Sequence, residues 1–431
     1  MSERAPGMGG ETACPPLLPQ DDLPTRLLTD AERPYACSDS SLPVVIEPSR
    51  ARDVRSLARR VADHSPAITA TLAKHGAILF RGFDVRGDAD FETLVTSIDA
   101  ARPMAGYFMS EPGRHRVEGT RGVFNTNNLY KTGGALYLGG LHSESFYSAD
   151  VPSLLAFWCK TAPRLGGETA LVQAAELYAA LPPDLQQRLA GERVLACELS
   201  MQDIAARYRV SAGAVEELCR ELGLEVRDGD AGKTLALYKP TLIRHPTTER
   251  LAVQFNVSAE VPGFDAALRR YAAPRYRGSP WWLHRAVWRW PALASMVPAL
   301  DSYPMFRQAL SDLLAQAKGR LRPRPAPAPV IRRGRVAERL TADDVELLAE
   351  AAWRNLSVFT WRTGDVLILD QLQLLHMGMP GRGPRELHVI MCNPIRIDWP
   401  LASGVLEPAR REHDHAHESL GSRLEALAKN A

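Results

Sequence analysis

Gly139-Gly140-Leu141-His142-Ser143-Glu144-Ser145-Phe146-Tyr147 carries the pair on which this chain turns, His142-x-Glu144. Leu136, Tyr137 and Leu138 before it, and Phe146 and Tyr147 after it, are residue types of a β-strand. In a strand, positions two apart share a face. The spacing therefore predicts an imidazole and a carboxylate side by side, a two-toothed chelate for a divalent metal. His376 is the best candidate for a third ligand. Two imidazoles and one carboxylate on three corners of an octahedron leave three positions open, the donor set of oxygen-activating non-heme Fe(II). A lone H-x-E also arises by chance, and a hydrogen-bonded structural histidine is the plain alternative. The rest of the chain has to decide.

Composition narrows the classes. The 431 residues are 45% hydrophobic and 24% charged, an ordinary globular balance with core enough for one large domain or two. A formal net charge of +2 gives no electrostatic case for nucleic acid or membrane. Cys14, Cys37, Cys159, Cys197, Cys219 and Cys392 are scattered without a C-x-x-C pair. That pattern suits reduced thiols in a cytoplasm better than a disulfide framework or a zinc knuckle. Met1 to Gln20 lacks the apolar stretch of a secretory signal, and no apolar run reaches the length of a membrane span. The expectation is a cytoplasmic protein; its oligomeric state is left open.

Residues 1–40, rich in Pro, Gly, Ser and acid, are expected to be poorly ordered. A helix is expected from about Asp53 to Lys74, ended by Gly76, then a buried strand Ala77 to Phe80 and a helix opening near Asp88. Residues 103–135 read as loop and short strands, and Asn128 and Tyr130 there are candidate substrate contacts. Asp203 to Glu221 imitates a helix-turn-helix. Its second helix carries Glu216, Glu217 and Glu221 against Arg220, the wrong charge for reading DNA. Gly232-Lys233-Thr234 lacks the earlier glycine of a phosphate loop. The strand that follows is expected to pair with Leu251 to Asn256. Residues 257–335 form a Trp-rich helical insert or lid: Trp281, Trp282, Trp288 and Trp290 fall within ten positions, and a basic, Pro-rich stretch closes it. Thr341 should cap a helix, and Val366 to Leu369 should form a strand leading to Asp370, with His376 after it. Arg385 opens a last strand, folded back beside that of His376. Residues 401–431 are a charged tail in which His413, His415 and His417 read as solvated surface.

His142-x-Glu144, Gly166-Gly167-Glu168-Thr169, Trp361…Gly364-Asp365 leading to His376, and Gly383-Pro384-Arg385 occur in one order. Together they resemble the taurine dioxygenase family of Fe(II)/2-oxoglutarate-dependent oxygenases (TauD/TfdA), nearest the clavaminate synthase-like and amino-acid hydroxylase-like branch with H-x-E. His75 to Phe83 looks like that family's entry strand. The family usually has Asn where Gln371 stands and Gly-Arg where Met377-Gly378 stands, and the 257–335 segment is longer than usual.

The resemblance implies a mainly β fold with flanking helices (α+β), a double-stranded β-helix or jelly-roll, over residues 41–400. It implies Fe(II) held by His142, Glu144 and His376, with 2-oxoglutarate and O2 as cosubstrates. Arg385 and Thr169 would take the distal carboxylate of 2-oxoglutarate. Arg382 is the rival, but a planar guanidinium at a strand start is better fixed than one in a Gly/Pro loop. With a carboxylate at 144, where halogenating relatives keep a small residue, hydroxylation is the expected outcome. Desaturation and oxidative cyclisation are the alternatives. The expected substrate is an amino acid or an amino-acid-derived natural-product intermediate, free or tethered to a carrier protein. A zinc or structural metal protein, and a non-catalytic docking module built on the Trp-rich insert, are the readings from other classes.

Overall fold

Ala77-Ile78-Leu79-Phe80 sends alternate side chains into two different cores, and the whole molecule is arranged around that alternation. The computed structural model describes residues 18–19, 21–34, 42–104, 116–126, 138–148, 150–191, 193–229, 232–290, 335–396, 405–406 and 420–430. In chain order the strands are β1 (Thr25–Arg26), β2 (Val44–Ile46), β3 (Ala77–Phe80), β4 (Val123–Asn125), β5 (Asp150–Thr161), β6 (Leu165–Gly166), β7 (Thr169–Gln173), β8 (Val194–Ser200), β9 (Glu225–Arg227), β10 (Thr234–Lys239), β11 (Leu242–Arg244), β12 (Leu251–Val253), β13 (Leu356–Phe359), β14 (Val366–Asp370), β15 (Leu374–Gly378), β16 (Gly381–Arg382), β17 (Glu386–Arg396) and β18 (Val405–Leu406). The helices are α1 (Val54–Asp63), α2 (Ser65–His75), α3 (Asp88–Thr96), α4 (Ala174–Ala179), α5 (Pro183–Leu189), α6 (Met201–Tyr208), α7 (Ala212–Glu221), α8 (Val257–Glu260), α9 (Phe264–Ala272), α10 (Trp282–Arg289), α11 (Ala342–Arg354) and α12 (Leu420–Asn430).

The fold is mixed α+β. A large sheet runs β1-β2-β3-β14-β5-β17-β4, and a small one runs β13-β7-β15. Leu79, Leu155, Phe157, Leu367, Leu369, Val389 and Met391 of the large sheet meet Leu171, Phe359 and Leu374 of the small sheet in one core. The opposite face of the large sheet (Ile78, Phe80, Ala156, Trp158, Ile368) is covered by Leu57, Val61, Leu72, Phe91 and Leu94 of α1, α2 and α3. The opposite face of the small sheet (Ala170, Val172, Leu375, Met377) is covered by Leu177, Phe264, Leu268 and Leu348 of α4, α9 and α11. Truncating a Leu, Ile, Met or Phe among these side chains to Ala costs about 2–5 kcal/mol.

Several local expectations hold. Gly76 ends α2 in the left-handed conformation, and Thr341 forms a capping box with Asp344 at the start of α11. α6 and α7 pack on the separate sheet β8-β10-β9 through Met201, Ile204, Val215 and Leu218, so their imitation of a DNA-binding motif is packing.

Others are corrected. The expected 53–74 helix is two helices divided at His64, with Pro66 in the first turn of α2. β10 pairs with β8 and β9, and β12 pairs with β11 instead. Residues 18–19 and 21–34, expected within a poorly ordered segment, are packed: Leu18, Leu23 and Leu28 are buried, and β1 adds to the large sheet. β17 does not lie beside β15; it enters the large sheet between β5 and β4. Of the Trp-rich insert, residues 257–290 carry α8, α9 and α10, while 291–334 and the histidines of the tail lie outside the described residues. Among the described residues no helix is long and apolar enough to cross a membrane.

Candidate metal centre

The stretch around His142 is not a regular strand. His142 forms an isolated antiparallel bridge with His376. Each backbone N–H donates to the other's carbonyl at 3.1 Å. Such a pair holds its Cα atoms about 5.5 Å apart. After it the chain turns over residues 144–147, with Ser145 at φ +61°. The imidazole and carboxylate converge through this bridge and turn, and strand alternation plays no part.

His376 sits on β15 between Leu375 and Met377, which face outward, so its ring enters the core between the two sheets. There it lies 5.4 Å from the Phe157 ring and 4.4 Å from the His142 ring. His142 Nε2 and His376 Nε2 are each 3.8 Å from Glu144 Oε2. One ligand atom from each of the three residues lies within 4.8 Å of the others. Bonds of about 2.1 Å meeting at 90–130° put donor atoms about 3–4 Å apart, the range of both histidine–Glu144 separations. His142 Nδ1 is 2.8 Å from the Gly140 carbonyl. That bond places the proton on Nδ1 and leaves the Nε2 lone pair toward Glu144.

A polar clamp behind the carboxylate carries no signal that spacing could have revealed. Gln371 Nε2 donates to Ser143 Oγ at 2.8 Å and to the Glu144 carbonyl at 3.2 Å. Gln254 bonds the same Ser143 hydroxyl, and all three side chains are buried. His245 Nδ1 accepts the N–H groups of Thr247 and Thr248, so Nε2 carries the proton that it gives Asp370, at 3.0 Å. Asp370 in turn accepts from Leu372 N and Gln373 Nε2, which fixes the turn presenting Gln371.

Thr169 and Arg385 lie at the same end of the core. β7 and β15 pair His376 with Leu171 and Gly378 with Thr169. Thr169 is therefore two residues along from the position opposite His376, on the face that Leu171 gives to the inter-sheet core. Trp361 Nε1 donates to Thr169 Oγ1 at 2.9 Å. Indole is a donor only, so the threonine hydroxyl keeps its own hydrogen to donate elsewhere. Arg385 is buried, and its Nη1 donates to the carbonyls of Gly167 (2.7 Å) and Glu168 (3.3 Å). Arg382, the rival, is exposed and donates to the Pro280 carbonyl at 3.2 Å. Burial pushes the Glu168 carboxyl up to about 7, and the nearby Arg385 charge offsets this only in part. Asn128 and Tyr130 lie outside the described residues.

A sequence model described as "Taurine catabolism dioxygenase TauD, TfdA family" matches residues 40–276. The match takes in His142, Glu144 and Thr169 and stops before His376 and Arg385. The dapdiamide synthesis protein DdaC of Enterobacter agglomerans is 26% identical over 339 residues, which is 77% of this chain and 86% of that protein. A clavaminate synthase-like protein of Arabidopsis thaliana is 23% identical over 333 residues, 75% of this chain and 84% of its own. A solved taurine dioxygenase from Burkholderia xenovorans aligns with a TM-score of 0.43 at 14% identity, over 89% of this chain and 95% of that one.

Proposed function

The chain belongs to the taurine catabolism dioxygenase TauD, TfdA family, and on that premise we propose that it hydroxylates an unactivated C–H bond of a small molecule, releasing succinate and CO2. It is an Fe(II)- and 2-oxoglutarate-dependent dioxygenase. The proposed substrate is an amino acid or an amino-acid-derived natural-product intermediate, free or carrier-tethered; the similarity to DdaC supports that class. The jelly-roll of the family is proposed for the two sheets that enclose the site.

The observation that carries this reading is the placing of two imidazole nitrogens 3.8 Å from one buried carboxylate oxygen, in the core that also receives Thr169 and Arg385. His142, Glu144 and His376 would hold the iron. When bound, iron with 2-oxoglutarate and O2 supplies the oxidising power for C–H cleavage, which no side chain has. The protein's own residues bind and orient. Arg385 would take the distal carboxylate with charge-assisted bonds, its plane fixed by the Gly167 and Glu168 carbonyls. Thr169 would donate to the same carboxylate, which can only accept, while its hydroxyl oxygen takes the Trp361 N–H. Thr169 stands about 7 Å along β7 from the level of His376, a span suited to a five-carbon dicarboxylate. Phe157, 5.4 Å from the His376 ring, and Leu171 and Leu374 of the same apolar core would limit water on that side of the site.

The test is 2-oxoglutarate turnover in air with Fe(II), ascorbate and a panel of free and carrier-loaded amino acids. The expected result is iron-dependent succinate release that rises with a true substrate, whose product gains one oxygen atom. Iron-loaded protein that forms no succinate under any condition would refute the assignment. A product lacking two hydrogens would move it to desaturation or ring closure.

A further inference from the structure

Through Trp281 the Trp-rich insert reaches the Gly166-Gly167 turn beside the site. A Cβ built on Gly166 would fall 2.5 Å from Trp281 Cη2 and 2.5 Å from the Pro380 carbonyl oxygen. The indole therefore occupies space that only a glycine leaves. Gly166 and Gly167 both have positive φ, +63° and +66°, and pack so closely on β16 that a Cβ on Gly381 would lie 2.3 Å from Gly167 N. A Gly-Gly pair has the loosest backbone in any chain, and something must hold it in one conformation. The hydrogen bond from Gly167 N to the Pro380 carbonyl does part of this, at 2.9 Å.

On the insert side Trp281 is braced. Its ring meets those of Tyr276 and His284 edge-on, at 4.8 Å each, and Tyr276 and His284 are buried. Arg285 Nη1 donates to the Tyr276 and Gly278 carbonyls and closes the loop that presents the indole. Arg382 of β16 ties back to Pro280, the residue before Trp281. On the site side, the two residues after Gly166 supply the carbonyls that receive Arg385 Nη1. Trp281, Gly166, Gly167 and Arg385 thus form one continuous line of contact. Trp282 and Trp290, beside it in the insert, are 59% and 56% exposed.

We propose that Trp281 is a positioning residue for the 2-oxoglutarate grip: by seating on Gly166 it fixes the Gly167 and Glu168 carbonyls that aim Arg385, so the insert sets cosubstrate affinity. This rests on the reading of Arg385 given above. The test uses full-length, iron-loaded, anaerobic protein, titrated with 2-oxoglutarate and followed by the visible band that iron and 2-oxoglutarate give together. Iron affinity is measured separately. Trp281→Ala should weaken 2-oxoglutarate binding about tenfold. It should leave iron affinity unchanged, and Trp282→Ala should change neither. In an Arg385→Ala background Trp281→Ala should have little further effect, since both act on one contact. Trp281→Phe should fall between the parent and Trp281→Ala; if Trp281→Ala does not fold, Trp281→Phe is judged by the same criteria. Unchanged 2-oxoglutarate affinity in the Trp281 variant, with weakened affinity in Arg385→Ala, overturns the inference and leaves the function standing. Equal losses in both backgrounds also overturn it. Unchanged affinity in Arg385→Ala overturns the reading of Arg385 and the inference with it.

Discussion

Two buried charged clusters in this protein have opposite designs. In one, Arg81 meets Glu32 at 2.7 Å and Asp365 at 2.6 and 3.1 Å, and its Nη2 also donates to the Thr360 carbonyl at 2.7 Å. Arg26 adds two more bonds to Glu32, at 2.6 and 2.8 Å. Burial works against the Glu32 charge, but the bonds from Arg26, the Thr29 backbone and Arg81 outweigh it and hold this carboxyl well below the usual range. In the other cluster, His142 and His376 approach Glu144 only to 3.8 Å, too far for a hydrogen bond. The first cluster satisfies itself and stitches the N-terminal segment to the sheet. The second aims three donor atoms at a common point instead of at each other, which is how a set built for a cation differs from a salt bridge.

The largest effect that separates the two is on activity. His376→Ala should abolish iron binding and 2-oxoglutarate turnover while moving the unfolding midpoint of the metal-free protein little. A large loss of metal-free stability would make the triad a structural cluster like the other. Arg81→Met should do the reverse. It leaves Glu32 and Asp365 buried without their guanidinium, so stability should fall by about 3–5 kcal/mol in denaturant unfolding, with iron affinity kept in whatever folds. A stability change under about 1 kcal/mol would show that the Arg81 cluster is not holding the segment.

Gln371→Leu should weaken iron about 10–100-fold, because Glu144 loses the clamp on its backbone. Equilibrium dialysis against Fe(II) reads this directly, and parental affinity would remove Gln371 from the account. Glu168 sharpens the comparison from the pH side. Its folded value, about 7, lies above the ordinary 4.5, so the folded state holds a proton that the unfolded state has lost. Its burial therefore costs nothing in acid, and stability declines as pH rises from about 4.5 to 7. Glu168→Gln should flatten that decline in melting curves taken across the window. Parallel curves for variant and parent would place the buried proton elsewhere.

How much of this was legible in the sequence follows from distance along the chain. His142, Glu144, Thr169, His376 and Arg385 stood out because each sits in a short motif with its own residue types. A strand such as Ala77 to Phe80 was legible as a short, continuous apolar run after a helix-ending glycine. The bridge-and-turn geometry of residues 142–147 was not, since Ser145 gives no hint of a positive φ. Nor was the order of residues 21–34, whose composition reads as disorder. What fixes it is an ion pair between Glu32 and Arg81, 49 residues apart, itself anchored to Asp365 across 284 more. The Gln254, Ser143 and Gln371 clamp failed to show for the same reason: its members span 111 and 228 positions and share no local pattern.

The central claim is that three side chains converge on one ferrous ion. Anaerobic titration of the metal-free chain with Fe(II), in the presence of 2-oxoglutarate, tests it most directly. The account predicts one iron per chain and a visible band that appears only when both are present, with both lost in His376→Ala. An undiminished stoichiometry and band in that variant would contradict it.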